Sequence, residues 1–139
     1  MSEPSEERLR EIYRTAKTIA VVGASAEEHK DAHQIPLYLQ KQGYRIIPVN
    51  PRGGTIWGEP VATSLGEITE PIDVVQVFRP SEETPGIARQ AVAAGAKVLW
   101  LQSGISNDEA EQIASDGGLE VVMDMCMRAT HRLLGLDAV

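Results

Sequence analysis

The sequence contains one cysteine, Cys126, in 139 residues. A lone thiol cannot close an intramolecular disulfide, which fits a reducing compartment, so a cytoplasmic protein is expected. Aromatic residues are scarce at 4%, leaving few rings to stack on nucleic-acid bases. Positive charge is also short: 13 Lys and Arg face 20 Asp and Glu, the formal net charge is −7, and no Lys/Arg cluster occurs. Because phosphate contacts supply most nucleic-acid affinity, no nucleic-acid partner is expected. The longest apolar runs, such as residues 18–22 with their neighbours, are far too short for a membrane span, so no membrane partner is expected either. Ser2, Glu3, Ser5, Glu6 and Glu7 form neither a basic nor an apolar leader, and no secretory signal is expected. Three histidines, His29, His33 and His131, with one cysteine offer no metal-ligand spacing.

What remains is an ordinary globular composition, 42% apolar and 24% charged. The length suits a single domain spanning residues 1–139 that can bury a core without staples. Five runs rich in β-branched and apolar residues recur at residues 18–23 (TIAVVG), 44–49 (YRIIPV), 72–78 (IDVVQVF), 97–102 (KVLWLQ) and 119–124 (LEVVMD). They recur about once per βα unit, and their near-continuous apolar character predicts parallel strands covered on both faces. Helical patterns lie between them. Leu9, Ile12, Tyr13 and Ala16 share a helical face behind a start at Ser5. Pro36 fits the next helix only in its first turn, which predicts a start near His33 and a stop at Gly43. A third helix is predicted from Ser81 to Gly95, and a fourth opens at Ser106-Asn107-Asp108-Glu109 and closes at Gly117. A last one runs from about Met127 to Leu134. This order predicts an α/β, Rossmann-like three-layer fold with a five-stranded parallel sheet and helices on both faces.

In such sheets ligands bind outside the C-terminal ends of the strands, so the residues that follow each strand carry the functional expectation. They are Gly23-Ala24-Ser25, Asn50-Pro51-Arg52-Gly53-Gly54, Arg79-Pro80-Ser81, Ser103-Gly104-Ile105 and Met125-Cys126. Gly23 and Ser25 would allow close backbone approach and offer N–H and O–H donors ahead of a helix, an arrangement suited to a phosphate. Arg52 would present a guanidinium to the same anion. The dinucleotide fingerprint is incomplete: only the first glycine of G-x-G-x-x-G is present, and the second strand ends in Asn50 rather than Asp or Glu. Both departures argue against NAD.

Long strings of this sequence resemble the small stand-alone CoA-binding domain proteins, which are similar to the CoA-binding domain of the succinyl-CoA synthetase α subunit. The likeness rests on V-V-G-A-S (residues 21–25), G-Y-R-I-I-P-V-N-P (43–51), I-x-G (56–58), I-D-V-V-x-V-F-R (72–79), G-A-K-V-L-W-L-Q-x-G-I (95–105) and V-V-M-D-x-C (121–126), and it covers about residues 16–134. The resemblance implies coenzyme A as the ligand. It implies contacts from Gly23, Ala24 and Ser25, from Asn50, Pro51 and Arg52, from Phe78, Arg79 and Pro80, and from Gln102, Gly104 and Ile105. Near the C-terminus the family often reads D-R-C-P-K-I-E-H, whereas residues 124–131 keep only Asp124, Cys126 and His131.

Plainer roles stand beside these. Gly23-Ala24-Ser25 also fits an ordinary strand-to-helix turn, Asn50-Pro51 fits turn chemistry, and Arg79 with Glu82 and Glu83 fits a surface ion pair worth little. Trp100 is expected in the core, and His33 as a surface or capping residue. Ser25, His33 and Asp31 have no nucleophile elbow, so no triad is read there. The expectation is a binding protein for CoA or an acyl-CoA, with no catalytic residues and no metal. The alternatives are an NAD(P)-binding oxidoreductase or redox-sensing domain, or a CoA-supplying subunit of an acyl-CoA ligase. A catalytic protein partner would then be required, because ligases of the succinyl-CoA synthetase type use a second domain. Cys126 either packs as a small hydrophobe or meets the CoA thiol in a mixed disulfide.

Overall fold

The computed structural model describes residues 3–137. In chain order the elements are α1 (Glu6–Thr15), β1 (Thr18–Val22), α2 (Asp31–Lys41), β2 (Arg45–Val49), β3 (Thr55–Ile56), β4 (Glu59–Pro60), β5 (Val74–Val77), α3 (Thr84–Ala93), β6 (Val98–Leu101), α4 (Asp108–Asp116), β7 (Glu120–Val122) and α5 (Met127–Leu133). Short 3-10 turns occupy Leu65–Glu67 and Ser81–Glu83. Five strands form one parallel sheet, as the sequence pattern predicts, and their order is β2-β1-β5-β6-β7. The β3–β4 hairpin stands apart from it.

Successive side chains of a strand point to opposite faces, so a sheet covered twice must be apolar at every position. Ile19 and Val21 of β1, with Val74, Val98 and Trp100, pack under Leu9, Ile12 and Tyr13 of α1, Ile35 and Leu39 of α2, and Met127 of α5. Ala20, Val75, Val77, Leu99 and Leu101 pack on the other face against Ile87, Ala88 and Ala91 of α3 and Ala110 and Ala114 of α4. Trp100 is fully buried, in keeping with a core role.

The helix starts follow the capping residues. Ser5 accepts a hydrogen bond from the Arg8 N–H at 3.1 Å, and Asn107 accepts from the Ala110 N–H at 2.9 Å. The α2 start departs from expectation: the helix begins at Asp31, before His33, and Pro36 lies inside it rather than in its first turn. Proline has no N–H for the carbonyl four residues back, here that of Ala32. That carbonyl instead accepts from the Ser25 N–H at 3.3 Å, so the break in the helical ladder is filled by the loop that leads into it. The β3–β4 hairpin was not legible as strands, since each arm is two residues long. It docks on α2 through the Trp57 indole N–H, which donates to the His33 carbonyl at 3.1 Å.

The N-terminal ends of the strands are tied by Asp73. Its carboxylate accepts from the N–H groups of Lys17 and Thr18 at 2.8 and 3.0 Å and lies 3.4 Å from the Lys97 ammonium. Burial pushes this carboxyl up, but the two backbone donors and Lys97 outweigh it and hold it below the usual aspartate range. At the C-terminal corner, buried His131 shares a hydrogen bond of 2.7 Å with the Tyr38 hydroxyl and packs edge-on among Tyr13, Tyr38 and Tyr44. Burial lowers its basicity.

Candidate functional site at the strand ends

The strand order reverses between β1 and β5: the chain leaves β1 for β2 on one side and returns to β5 on the other. The crevice outside such a reversal is where open α/β sheets place ligands. Gly23 ends β1 at this point with φ of +89°. A Cβ there would sit 2.9 Å from the Phe78 carbonyl oxygen and 3.0 Å from Cδ of Arg79, so only glycine fits between the two strand ends.

Two grooves open at this edge. The first, about 550 Å³, is bordered by Gly23, Ala24 and Ser25 after β1, by Asn50, Pro51 and Arg52 after β2, and by Arg79 after β5. The second, about 510 Å³, is bordered by Phe78, Gln102, Ser103, Ile105 and Cys126. Lys30, in the loop between β1 and α2, borders both. Eleven of the thirteen residues expected from the sequence thus meet along one edge; Pro80 and Gly104 border neither groove. Gly104 instead donates its N–H to Asp124 at 2.6 Å. Two smaller cavities, of about 140 Å³ beside Asp73 and about 430 Å³ beside His131, contain none of the expected residues.

The polar groups of the first groove differ from expectation in one respect. The N–H groups of Gly23 and Ala24 both donate to the Val49 carbonyl, at 3.1 and 3.3 Å, and that of Ser25 donates to Ala32. The backbone of this turn is therefore occupied in holding β1 against β2 and α2, and it does not form the open nest of donors expected for a phosphate. The Ser25 Oγ accepts from the Glu27 N–H, and among the described residues its hydroxyl hydrogen donates to none. Asn50 is also engaged: Nδ2 donates to the Ala24 carbonyl at 2.7 Å, while Oδ1 accepts from the Arg52 N–H at 2.8 Å. This is turn chemistry that cross-links the first two strand ends.

What remains for an anion is side-chain charge. Lys30 pairs with Glu27 at 2.6 Å, and Arg79 pairs with Glu83 through two bonds of 3.0 and 2.7 Å. Arg79 holds the Glu83 carboxyl below its ordinary range, so the expected surface ion pair is present. Arg52 is exposed and has no carboxylate partner among the described residues. Lys30 did not stand out in the sequence because it lies eight residues beyond the last residue of β1, Val22, not directly after the strand. Its signal was its place immediately before α2, where the loop turns back over both grooves.

The second groove is of another kind. Phe78, Ile105 and Cys126 are half-buried, and the Cys126 sulfur accepts from the Ala129 N–H at 3.4 Å as the cap of α5. Gln102 is 4% exposed. The first groove thus gathers Lys30, Arg52 and Arg79 with the carboxylates Glu27 and Glu83, whereas the second sets a thiol and an amide among apolar side chains, with His29, Lys30 and Asp31 along its border. No group of His, Cys, Asp and Glu able to hold a metal occurs among the described residues.

Residues 17–132 match the family described as CoA binding domain. The chain belongs to it. Among members of known sequence, the uncharacterized protein YneT of Bacillus subtilis is 41% identical over 94% of this chain and 97% of its own length. The ADP-forming acetate–CoA ligase I of Archaeoglobus fulgidus is 24% identical over 88% of this chain, which spans only 19% of the ligase. Among solved structures, cell-free ID.343 of Thermus thermophilus superposes with a TM-score of 0.90 at 39% identity, covering 94% of this chain and 99% of its own. This CoA-binding domain therefore has near full-length relatives as well as relatives in which it matches one part of a much longer enzyme.

Proposed function

We propose that this domain binds coenzyme A across the two strand-end grooves and acts as a binding protein rather than a complete enzyme. The observation that carries the proposal is the division of one continuous edge into two unlike halves joined at Lys30. Coenzyme A has the same asymmetry, with a phosphorylated adenosine at one end and an amide-linked arm ending in a thiol at the other. The phosphates lie by the first strand–helix turn, held by Arg52, Lys30 and the Ser25 hydroxyl rather than by that turn's N–H groups. The arm crosses the ends of β5 and β6 toward Cys126. Membership in the family and the similarity to acetate–CoA ligases support this choice of ligand. The ligase similarity also supports a second reading, a CoA-supplying subunit for a separate catalytic chain.

NAD is disfavoured by the engagement of Asn50. A dinucleotide site needs an acceptor at the end of the second strand for a ribose hydroxyl, and both arms of the Asn50 amide are already bonded within the turn. Thermal unfolding in the presence of CoA, NAD or NADP tests the ligand. A ligand that binds only the folded state at 100 times its Kd adds about 2.7 kcal/mol, so CoA should raise the midpoint and NAD should not. An equal shift with NAD would overturn the CoA assignment.

The thiol end gives a second expected result. With CoA disulfide as the reagent, the Cys126 thiolate attacks one sulfur, a Cys126–CoA disulfide forms, and the other CoA leaves as its thiolate. Intact-mass spectrometry should show a single CoA adduct that reductant removes and that Cys126→Ser lacks. Wild-type protein that binds CoA but forms no adduct would place the arm away from Cys126.

A further inference from the structure

Two glutamines lie buried in an otherwise apolar layer beneath α5, and their orientation is determined by a backbone group. Gln102 Oε1 accepts from the Met127 N–H at 2.9 Å and from Nε2 of Gln76 at 3.1 Å. Turning the Gln102 amide over would set its NH₂ against two donors, so the assignment is forced by the Met127 N–H, which cannot do other than donate. Gln76 is then fixed as well: its Nε2 must face Gln102, which leaves its own Oε1 fully buried with no hydrogen-bond partner. An unpaired buried acceptor is destabilising, and a leucine or methionine at position 76 would avoid it. The pair therefore does something that apolar packing would not. Oε1 is thus committed to the core, Gln102 borders the second groove, and among the described residues nothing accepts from Nε2, the other arm of the same planar amide.

We infer that Gln102 is the specificity-determining donor of the second groove, presenting Nε2 to a carbonyl oxygen in the thiol half of the ligand, with Gln76 and the start of α5 as its positioning groups. The inference rests on the CoA reading and deepens it. Its chemistry is that of a fixed N–H pair on a largely buried side chain, Gln102, at the floor of an open groove that Ile35, Phe78, Ile105 and Cys126 border together with His29, Lys30 and Asp31. A carbonyl oxygen, which can only accept, matches such a donor, and CoA thioesters carry two kinds near the sulfur: the amides of the pantetheine arm and the thioester itself.

The test uses Gln102→Glu, which keeps an oxygen for Met127 and Gln76 but replaces the groove donor with an acceptor. Calorimetric titrations at pH 8 compare CoA, acetyl-CoA and adenosine 3′,5′-bisphosphate, which has the phosphorylated end and no arm. The substitution should weaken acetyl-CoA at least about tenfold and leave the bisphosphate within about twofold, tenfold being about 1.4 kcal/mol. Equal losses for CoA and acetyl-CoA assign the acceptor to a pantetheine amide; a loss confined to acetyl-CoA assigns it to the thioester. Unchanged affinity for both, or an equal loss for the bisphosphate, overturns the inference. Should the variant fail to fold, the Nε2 resonances of Gln102 in the wild-type protein decide: they should move on adding acetyl-CoA and stay in place with the bisphosphate, and immobility with acetyl-CoA overturns the inference. If wild-type protein binds none of the three ligands, the CoA reading itself falls.

Discussion

Gly23→Ala should destabilise the domain by about 2–5 kcal/mol, from about 1–2 for an L-residue in left-handed backbone and about 1–3 for overpacking. Its φ of +89° is one obstacle, and the Phe78 carbonyl 2.9 Å from the new Cβ is the other. Neither can relax easily. The Gly23 N–H is tied to Val49, and the Phe78 N–H is tied to the Val22 carbonyl at 2.9 Å, so both strand ends are held in the sheet. Chemical denaturation should show the loss directly, and a thermal midpoint lower by roughly 8–15 °C should accompany it. A loss below about 1 kcal/mol would mean that the β1–β5 crevice opens readily and that this glycine is there for a ligand rather than for strand contact.

Arg52→Ala should weaken CoA by about 1.5–3 kcal/mol, the usual worth of a charge-assisted hydrogen bond to phosphate, and leave unfolding nearly unchanged. The two readouts separate because Arg52 is exposed, and its turn is held by its own N–H and by Asn50 rather than by its side chain. Lys30→Ala should cost less than Arg52→Ala, since Lys30 must first give up Glu27. Both variants should lose affinity for adenosine 3′,5′-bisphosphate as well as for CoA, the opposite of Gln102→Glu. Titration calorimetry with the two ligands checks this. An Arg52→Ala protein that binds CoA as tightly as wild type would leave Lys30 and the Ser25 hydroxyl as the phosphate site.

The layering of the fold was legible because the five strand cores are apolar at nearly every position, a pattern that only a doubly covered sheet requires. Each of the five strands of the parallel sheet lies inside its predicted run. The start of α2 was misplaced because a rule about proline treats the helix alone, whereas the Ala32 carbonyl is satisfied from outside by Ser25. The hairpin escaped notice because two-residue arms carry no periodicity. At the site, which residues gather at the strand ends could be read from sequence, but not what their polar atoms already do. Nothing in Gly23-Ala24-Ser25 reveals that all three N–H groups are bonded within the fold, nor in Asn50 that its amide joins two turns. Gln76 shows the same limit: in the sequence it is one polar residue in an apolar run, and its pairing with Gln102 depends on the β5–β6 register and on where α5 begins.

Backbone amide shifts of the ¹⁵N-labelled protein during titration with CoA test most directly whether CoA lies along the strand ends. The perturbed amides should cluster at residues 23–31, 50–54, 78–81, 102–106 and 125–127, while those around Asp73, Lys97 and Glu120 at the opposite end of the sheet stay in place. Perturbations centred on that opposite end or on His131, or no saturable change at all, would contradict it.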